Sequence, residues 1–169
     1  MNRTSRILAL KKEKNAIILA HNYQRPEIQD LSDVVGDSLE LAQKARETEA
    51  PLIVLCGVLF MAETAKILNP RKKVIIPVKD ALCPLADQLT PGMIREAREH
   101  HPGAHVVLYI NSTAECKALA DVICTSANAA KVVRSLPGKE VIVGPDSNLA
   151  AYIQDQVPEK EIIAIPPGG

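Results

Sequence analysis

Asn15-Ala-Ile-Ile-Leu-Ala-His21-Asn22-Tyr23-Gln24 is an apolar run that stops abruptly in four polar residues. A short aliphatic, β-branched run of this kind reads as a buried parallel strand. The polar residues then lie at its carboxyl end, where open α/β sheets bind their ligands. His21 can hold an anion as imidazolium or move a proton near neutral pH, and Tyr23 brings a phenol that donates, accepts or, once deprotonated, acts as a base. The plainer alternative is that both side chains satisfy loop carbonyls, and the residues alone leave the two readings open.

Working outward, further strand-like runs fall at 33–35, 52–56 and 74–76, with helical composition at 38–47 and 60–68 and a short amphipathic lead-in at 4–14. Thr90-Pro91 reads as an N-cap followed by proline at the first helical position, opening a helix over 92–101. Strands are then expected at 105–109, 121–124, 140–143 and 161–164. Such alternation implies an α/β protein made of right-handed βα units, with short parallel sheets in three αβα layers.

The two halves correspond. Ser-Asp-Val-Val-Gly-Asp-Ser38 lies opposite Ala-Asp-Val-Ile-Cys-Thr-Ser126, His21 opposite Tyr109, and Gly57 opposite Gly144, with separations that agree to within one residue. Two similar α/β domains, 1–84 and 85–169, follow from this agreement. Ser38 and Ser126 each come after a short strand and before a helix-forming stretch. They are candidate N-caps, at helix ends whose free N–H groups could hold a carboxylate or phosphate. Plain capping is the other reading. Tyr109-Ile110-Asn111-Ser112 is the second strand-end cluster, suited to a multiply oxygenated substrate or simply to a stabilised turn. In the 60–66 segment most residues are expected in the core, and Glu63 is read as complementing the dipole in the first helical turn.

Twenty basic residues balance twenty acidic ones, so no overall field favours nucleic acid or an acidic membrane surface. No apolar run approaches the roughly 20 residues that span a bilayer, and residues 1–14 are charged rather than signal-like. A cytoplasmic protein acting on a small metabolite is expected. The motifs of phosphate loops, dinucleotide turns, zinc proteases and serine hydrolases are missing from the sequence. Cys56, Cys83, Cys116 and Cys124 show no CxxC spacing, so reduced thiols are expected. Cys56 and Cys124 read as small buried hydrophobes. Cys83 lies in the turn-prone Asp80-Ala-Leu-Cys83-Pro84, where its thiol can face a cleft as ligand or nucleophile. By the repeat, a counterpart of Cys83 would fall just past Gly169. The ending Ile165-Pro-Pro-Gly-Gly169 reads as loop, so the chain is expected to be part of a longer protein.

Over nearly its whole length the sequence resembles quinolinate synthase, the A protein of de novo NAD biosynthesis. The resemblance rests on Ala20-His-Asn-Tyr-Gln24, Val35-Gly-Asp-Ser-Leu-Glu-Leu41, Phe60-Met-Ala-Glu-Thr-Ala-Lys-Ile-Leu-Asn-Pro70, Ala81-Leu-Cys83, Tyr109-Ile-Asn-Ser-Thr-Ala-Glu115, Thr125-Ser-Ala-Asn128 and Gly144-Pro-Asp146, in the family's order and separations. It implies three similar α/β domains around a central cavity, each giving one cysteine to a [4Fe–4S] cluster. Three thiolates would leave one iron open to act as a Lewis acid.

By the same resemblance, the reaction condenses iminosuccinate with dihydroxyacetone phosphate to quinolinate, releasing phosphate and water. L-aspartate oxidase or aspartate dehydrogenase would supply the imine. Carried over by residue, Cys83 is the metal ligand, and His21, Ser38, Tyr109, Ile110, Asn111 and Ser126 bind the dicarboxylic substrate. Tyr23 and His21 are the catalytic pair. A third domain and the other cluster cysteines have no match here, and Cys56, Cys116 and Cys124 do not replace them by position. This stretch alone is therefore expected to be inactive, as a monomer or homodimer. A competing expectation is a non-catalytic two-domain module that closes on a dicarboxylic or phosphorylated metabolite. A mononuclear zinc hydrolase would need more histidine or cysteine ligands than converge in this sequence.

Overall fold

A computed structural model describes residues 2–168, which divide into two units between Leu82 and Cys83. The first unit runs α1 (Arg3–Glu13), β1 (Ala16–His21), α2 (Pro26–Gln29), β2 (Val34–Gly36), α3 (Ser38–Glu47), β3 (Leu52–Cys56), α4 (Leu59–Leu68) and β4 (Lys73–Ile75). Its four strands pair in parallel in the order β2-β1-β3-β4. The second unit runs α5 (Pro84–Asp87), α6 (Pro91–His100), β5 (His105–Tyr109), α7 (Ala114–Lys117), β6 (Val122–Cys124), α8 (Ala129–Ser135), β7 (Glu140–Gly144), α9 (Ser147–Gln156) and β8 (Glu161–Ala164). Its parallel order is β6-β5-β7-β8. The expected α/β class, with two similar three-layer domains, is what the chain forms.

Three layers follow from strands that are apolar on both faces. In the second unit Val106, Leu108 and Ile142 pack with Ile94 and Ala97 of α6 and Cys116 of α7. Val107, Val141 and Val143, one residue out of step, pack with Ala129 and Val133 of α8 and Leu149, Ala150 and Ile153 of α9. Each fully buried aliphatic side chain contributes about 1.5–3 kcal/mol relative to exposure. In the first unit Leu19, Ile53 and Leu55 are buried, as are Leu41 and Ala45 of α3 and Phe60, Met61 and Ala65 of α4. Its lead-in helix α1 buries no side chain completely.

The repeat is stricter than the sequence reading had it. Arg3 opens α1 as Pro91 opens α6, Pro26 opens α2 as Ala114 opens α7, and Leu59 opens α4 as Ser147 opens α9, all by one displacement. The sheet register corrects one pairing. Ala20 of β1 lies beside Cys56, and its counterpart Leu108 lies beside Gly144, so Gly144 matches Cys56 rather than Gly57.

Two buttresses recur as well. The Asp33 carboxylate accepts the Ile18 N–H at 2.8 Å while the Asp33 N–H donates to the Ile18 carbonyl. Asp121 does the same with Val106. This local clamp keeps Asp33 out of the ladder, so β2 starts at Val34 and not at 33 as expected. Lys72 donates its ammonium to the carbonyls of Ala45 and Thr48 at the end of α3, and Lys160 donates to Leu136 and Gly138 just past α8. In both places a cation sits against the carbonyl end of a helix.

Candidate functional site

In the first unit the strand-end cluster is built on β1. Its last residue, His21, lies beside Gly36, the last residue of β2, and the Asn22 N–H donates to the Gly36 carbonyl. The chain then turns tightly, with the Gln24 N–H donating to the His21 carbonyl at 2.9 Å. The Tyr23 N–H donates to His21 Nδ1 at 3.2 Å, and the two rings meet edge to face with centroids 4.7 Å apart. Nδ1 is therefore a lone pair, and the neutral imidazole carries its proton on Nε2. Tyr23 is 89% exposed, so its phenol is open to solvent or ligand. Burial pushes the His21 pKa below its usual 6.5, while the Asp37 charge pulls the other way. The result at neutral pH is an uncharged ring offering an N–H donor.

Ser38 is not the N-cap of α3. Asp37 takes that place, accepting the Leu39 and Glu40 N–H groups, while Glu40 reaches back to the Asp37 N–H in a capping box. Two of the N–H groups expected to meet an anionic ligand are thus already bonded to Asp37, and half-buried Ser38 stands as the first helical residue beside them. Gly36 allows this closeness, because a β-carbon there would meet the Glu40 carboxylate at 2.7 Å.

In the second unit the equivalent cluster ends β5. Half-buried Tyr109 lies beside Cys124, and the Ile110 N–H donates to the Cys124 carbonyl, repeating the Asn22–Gly36 bond. Ile110 is buried and its carbonyl accepts the Ser112 N–H, so it shapes the loop from within. Ser112, wholly buried, donates to the Tyr109 carbonyl at 2.7 Å. Asn111 lies half-buried between them. Ser126 is exposed in a turn before α8, whose N-cap is Asn128, so the N-cap expectation fails here too. The Asn128 carboxamide oxygen instead accepts the Thr125 N–H.

The four thiols divide by burial. Cys116 is buried and donates to the Leu89 carbonyl, and burial pushes the Cys124 thiol up to about 11. Cys56 is half-buried, and burial raises its pKa as well. Cys83 is half-buried at the N-cap of α5, where its carbonyl accepts the Asp87 N–H. Among the described residues no three His, Cys, Asp or Glu side chains converge to hold a metal ion. No helix among them is long and apolar enough to cross a membrane. Glu63 falls in the second turn of α4 rather than the first, so the dipole reading loses its basis.

Sequence reasoning passed over Gln29. Its carboxamide nitrogen donates to the Asn22 carbonyl at 3.2 Å and the Gln24 carbonyl at 2.7 Å, bracketing Tyr23. The signal was faint: a glutamine in a four-residue helix begun by Pro26.

Fold and clusters together define a protein of tandem parallel α/β units, with chemistry-bearing side chains at the carboxyl ends of equivalent central strands. Residues 5–168 match the family described as Quinolinate synthetase A protein. The chain is 61% identical to the quinolinate synthase of Thermotoga petrophila over 96% of its own length and 54% of the relative's. It is 57% identical to that of Methanocaldococcus jannaschii, over 100% of this chain and 55% of the relative, and 55% identical to that of Pyrococcus abyssi, over 100% and 56%. The chain belongs to the quinolinate synthase family, and it spans about half the length of these curated relatives.

Proposed function

We propose that this chain carries part of the machinery that makes quinolinate from iminosuccinate and dihydroxyacetone phosphate in the cytoplasm. The observation that carries the reading is the equivalence of His21 and Tyr109, each the last residue of a central strand within a chain of this family. Ligands of open α/β sheets gather at such ends.

In this reading the neutral His21 ring donates from Nε2 to a substrate oxygen, and the exposed Tyr23 phenol hands over or takes up a proton during ring closure. Ser38, Tyr109, Asn111 and Ser126 supply hydroxyl and carboxamide partners for the dicarboxylic part, and Ile110 shapes the loop that carries Asn111. Phosphate and water leave, and the imine comes from an enzyme that oxidises aspartate.

A [4Fe–4S] cluster would supply an open iron as a Lewis acid for a substrate oxygen. The donors described here do not complete a site for it, since no three ligating side chains converge. Cys83 suits one ligand position, being a half-buried thiol in the turn that opens α5. No proton transfer above depends on the cluster.

The test is quinolinate formation, followed by chromatography, in the intact polypeptide containing this chain. Tyr23→Phe should abolish turnover with substrate binding retained, and His21→Ala should weaken both. Full turnover in Tyr23→Phe removes the phenol from the reaction. The same 169 residues, reconstituted anaerobically with iron and sulfide, should bind less than a full cluster complement.

A further inference from the structure

The Tyr23 N–H that bonds His21 belongs to the same peptide group as the Asn22 carbonyl that accepts from Gln29. In a planar trans peptide these two atoms point in opposite directions, so a donor on one side and an acceptor on the other fix the plane between them. The second Gln29 bond, to the Gln24 carbonyl at 2.7 Å, closes the bracket on the far side of Tyr23. We infer that Gln29 is a positioning residue, which sets the Asn22–Tyr23 peptide so that His21 keeps Nδ1 as acceptor and presents Nε2–H outward.

The chemistry suits a glutamine. Its carboxamide gives two N–H donors without a charge, so one side chain can serve two carbonyls. A glutamate of the same shape would bring only acceptors to those carbonyls, and a methionine would bring neither. The bond network also strengthens along its length, since the Asn22 carbonyl polarised by Gln29 makes the Tyr23 N–H a better donor. Lys117 holds the equivalent place in the second unit, at the end of α7, so this carboxamide belongs to the His21 loop alone.

The arrangement concerns the free protein, and only its catalytic meaning rests on the quinolinate reading. The test therefore omits substrate. In the 169-residue chain labelled with 15N-histidine, held near pH 8, the imidazole nitrogen shifts report which nitrogen carries the proton. Wild-type His21 should show the Nε2–H tautomer. Gln29→Glu and Gln29→Met should both move it toward a mixture, leaving the signals of His100, His101 and His105 in place. Lys72→Met, which loosens the same unit elsewhere, should leave the His21 tautomer unchanged.

An unchanged Nε2–H tautomer in both Gln29 variants would overturn the inference even if their melting temperatures fell. So would a wild-type ring protonated at Nδ1. Hydrogen exchange decides the matter should the variants not fold: the Gln29 carboxamide protons of the wild type should be protected, and exchange at the rate of a free amide would sink it.

Discussion

Lys72 and Lys160 stand one residue before the last strand of their units, and each turns its ammonium back onto the carbonyls that close the preceding helix layer. Lys160 is only 9% exposed, and its partners Leu136 and Gly138 lie at 2.6 and 2.8 Å. Replacing it by methionine keeps the aliphatic stem and strips two carbonyls of a charged donor. Lys160→Met should lower stability by about 2–4 kcal/mol, the scale of losing charged hydrogen bonds in a buried place. Urea denaturation followed by circular dichroism measures it, with Lys131→Met on the exposed face of α8 as the neutral control.

Asp121 locks the start of β6 to β5. Its carboxylate takes the Val106 N–H at 2.7 Å and also meets Arg98 at 2.9 Å, a pair too exposed to contribute much by itself. Asp121→Ala should therefore cost about 1–3 kcal/mol, mostly from the orphaned strand N–H. Asp121→Asn, which keeps an acceptor, should recover more than half. Equal losses in the two variants would assign the effect to the ion pair.

Gly144 has no room for a side chain. A β-carbon there would lie 2.5 Å from the Ile165 carbonyl oxygen and 2.9 Å from its side chain. Gly144→Ala should destabilise by about 1–3 kcal/mol through overpacking. Gly57→Ala meets the flexible Met61 thioether at 3.0 Å and should cost clearly less. Thermal melts of the two variants give the comparison.

His21 makes stability depend on pH. Its folded pKa lies below the usual 6.5, chiefly through burial. Between that lowered value and 6.5 the unfolded chain binds the additional proton, so stability rises with pH across this window and the His21 penalty is complete below it. Asp37→Asn keeps a capping oxygen but removes the charge that opposes burial. The folded pKa should drop further, and the acid loss should extend to lower pH. NMR titration of the His21 ring reads this directly, and a value at or above 6.5 in the folded wild type would contradict it.

Thiol labelling should follow burial. With iodoacetamide in native buffer, Cys83 should react well before Cys116 and Cys124, which are buried, the latter with its pKa pushed up to about 11. Mass spectrometry of tryptic peptides shows the order. Simultaneous labelling of all four would mean that the units open faster than the reagent attacks.

Much of the fold was readable because each sheet is covered on both faces. That makes its strands nearly continuous apolar runs, such as Ala16–His21 and His105–Tyr109, and the polar residues ending β1 and β5 marked the candidate clusters directly. What escaped depends on local geometry. Asp37 and Ser38 are both good caps, and only the extended backbone of Asp37 shows which one closes α3. Composition did not distinguish Lys72 and Lys160 from surface lysines, because their role comes from reaching back across more than twenty residues to a helix end. Gly144 was matched one position off, since glycine invites pairing with glycine, whereas the ladder pairs it with the place held by Cys56. Gln29 acts on backbone carbonyls, which no side-chain pattern reveals.

The strand lengths have a consequence for handling the protein. In each sheet the central strands run five or six residues, while the outermost ones, β2, β4, β6 and β8, have only three or four. A short border exposes few unpaired amides and carbonyls for a neighbouring molecule to extend, so either sheet is a poor template for intermolecular β-aggregation at high concentration.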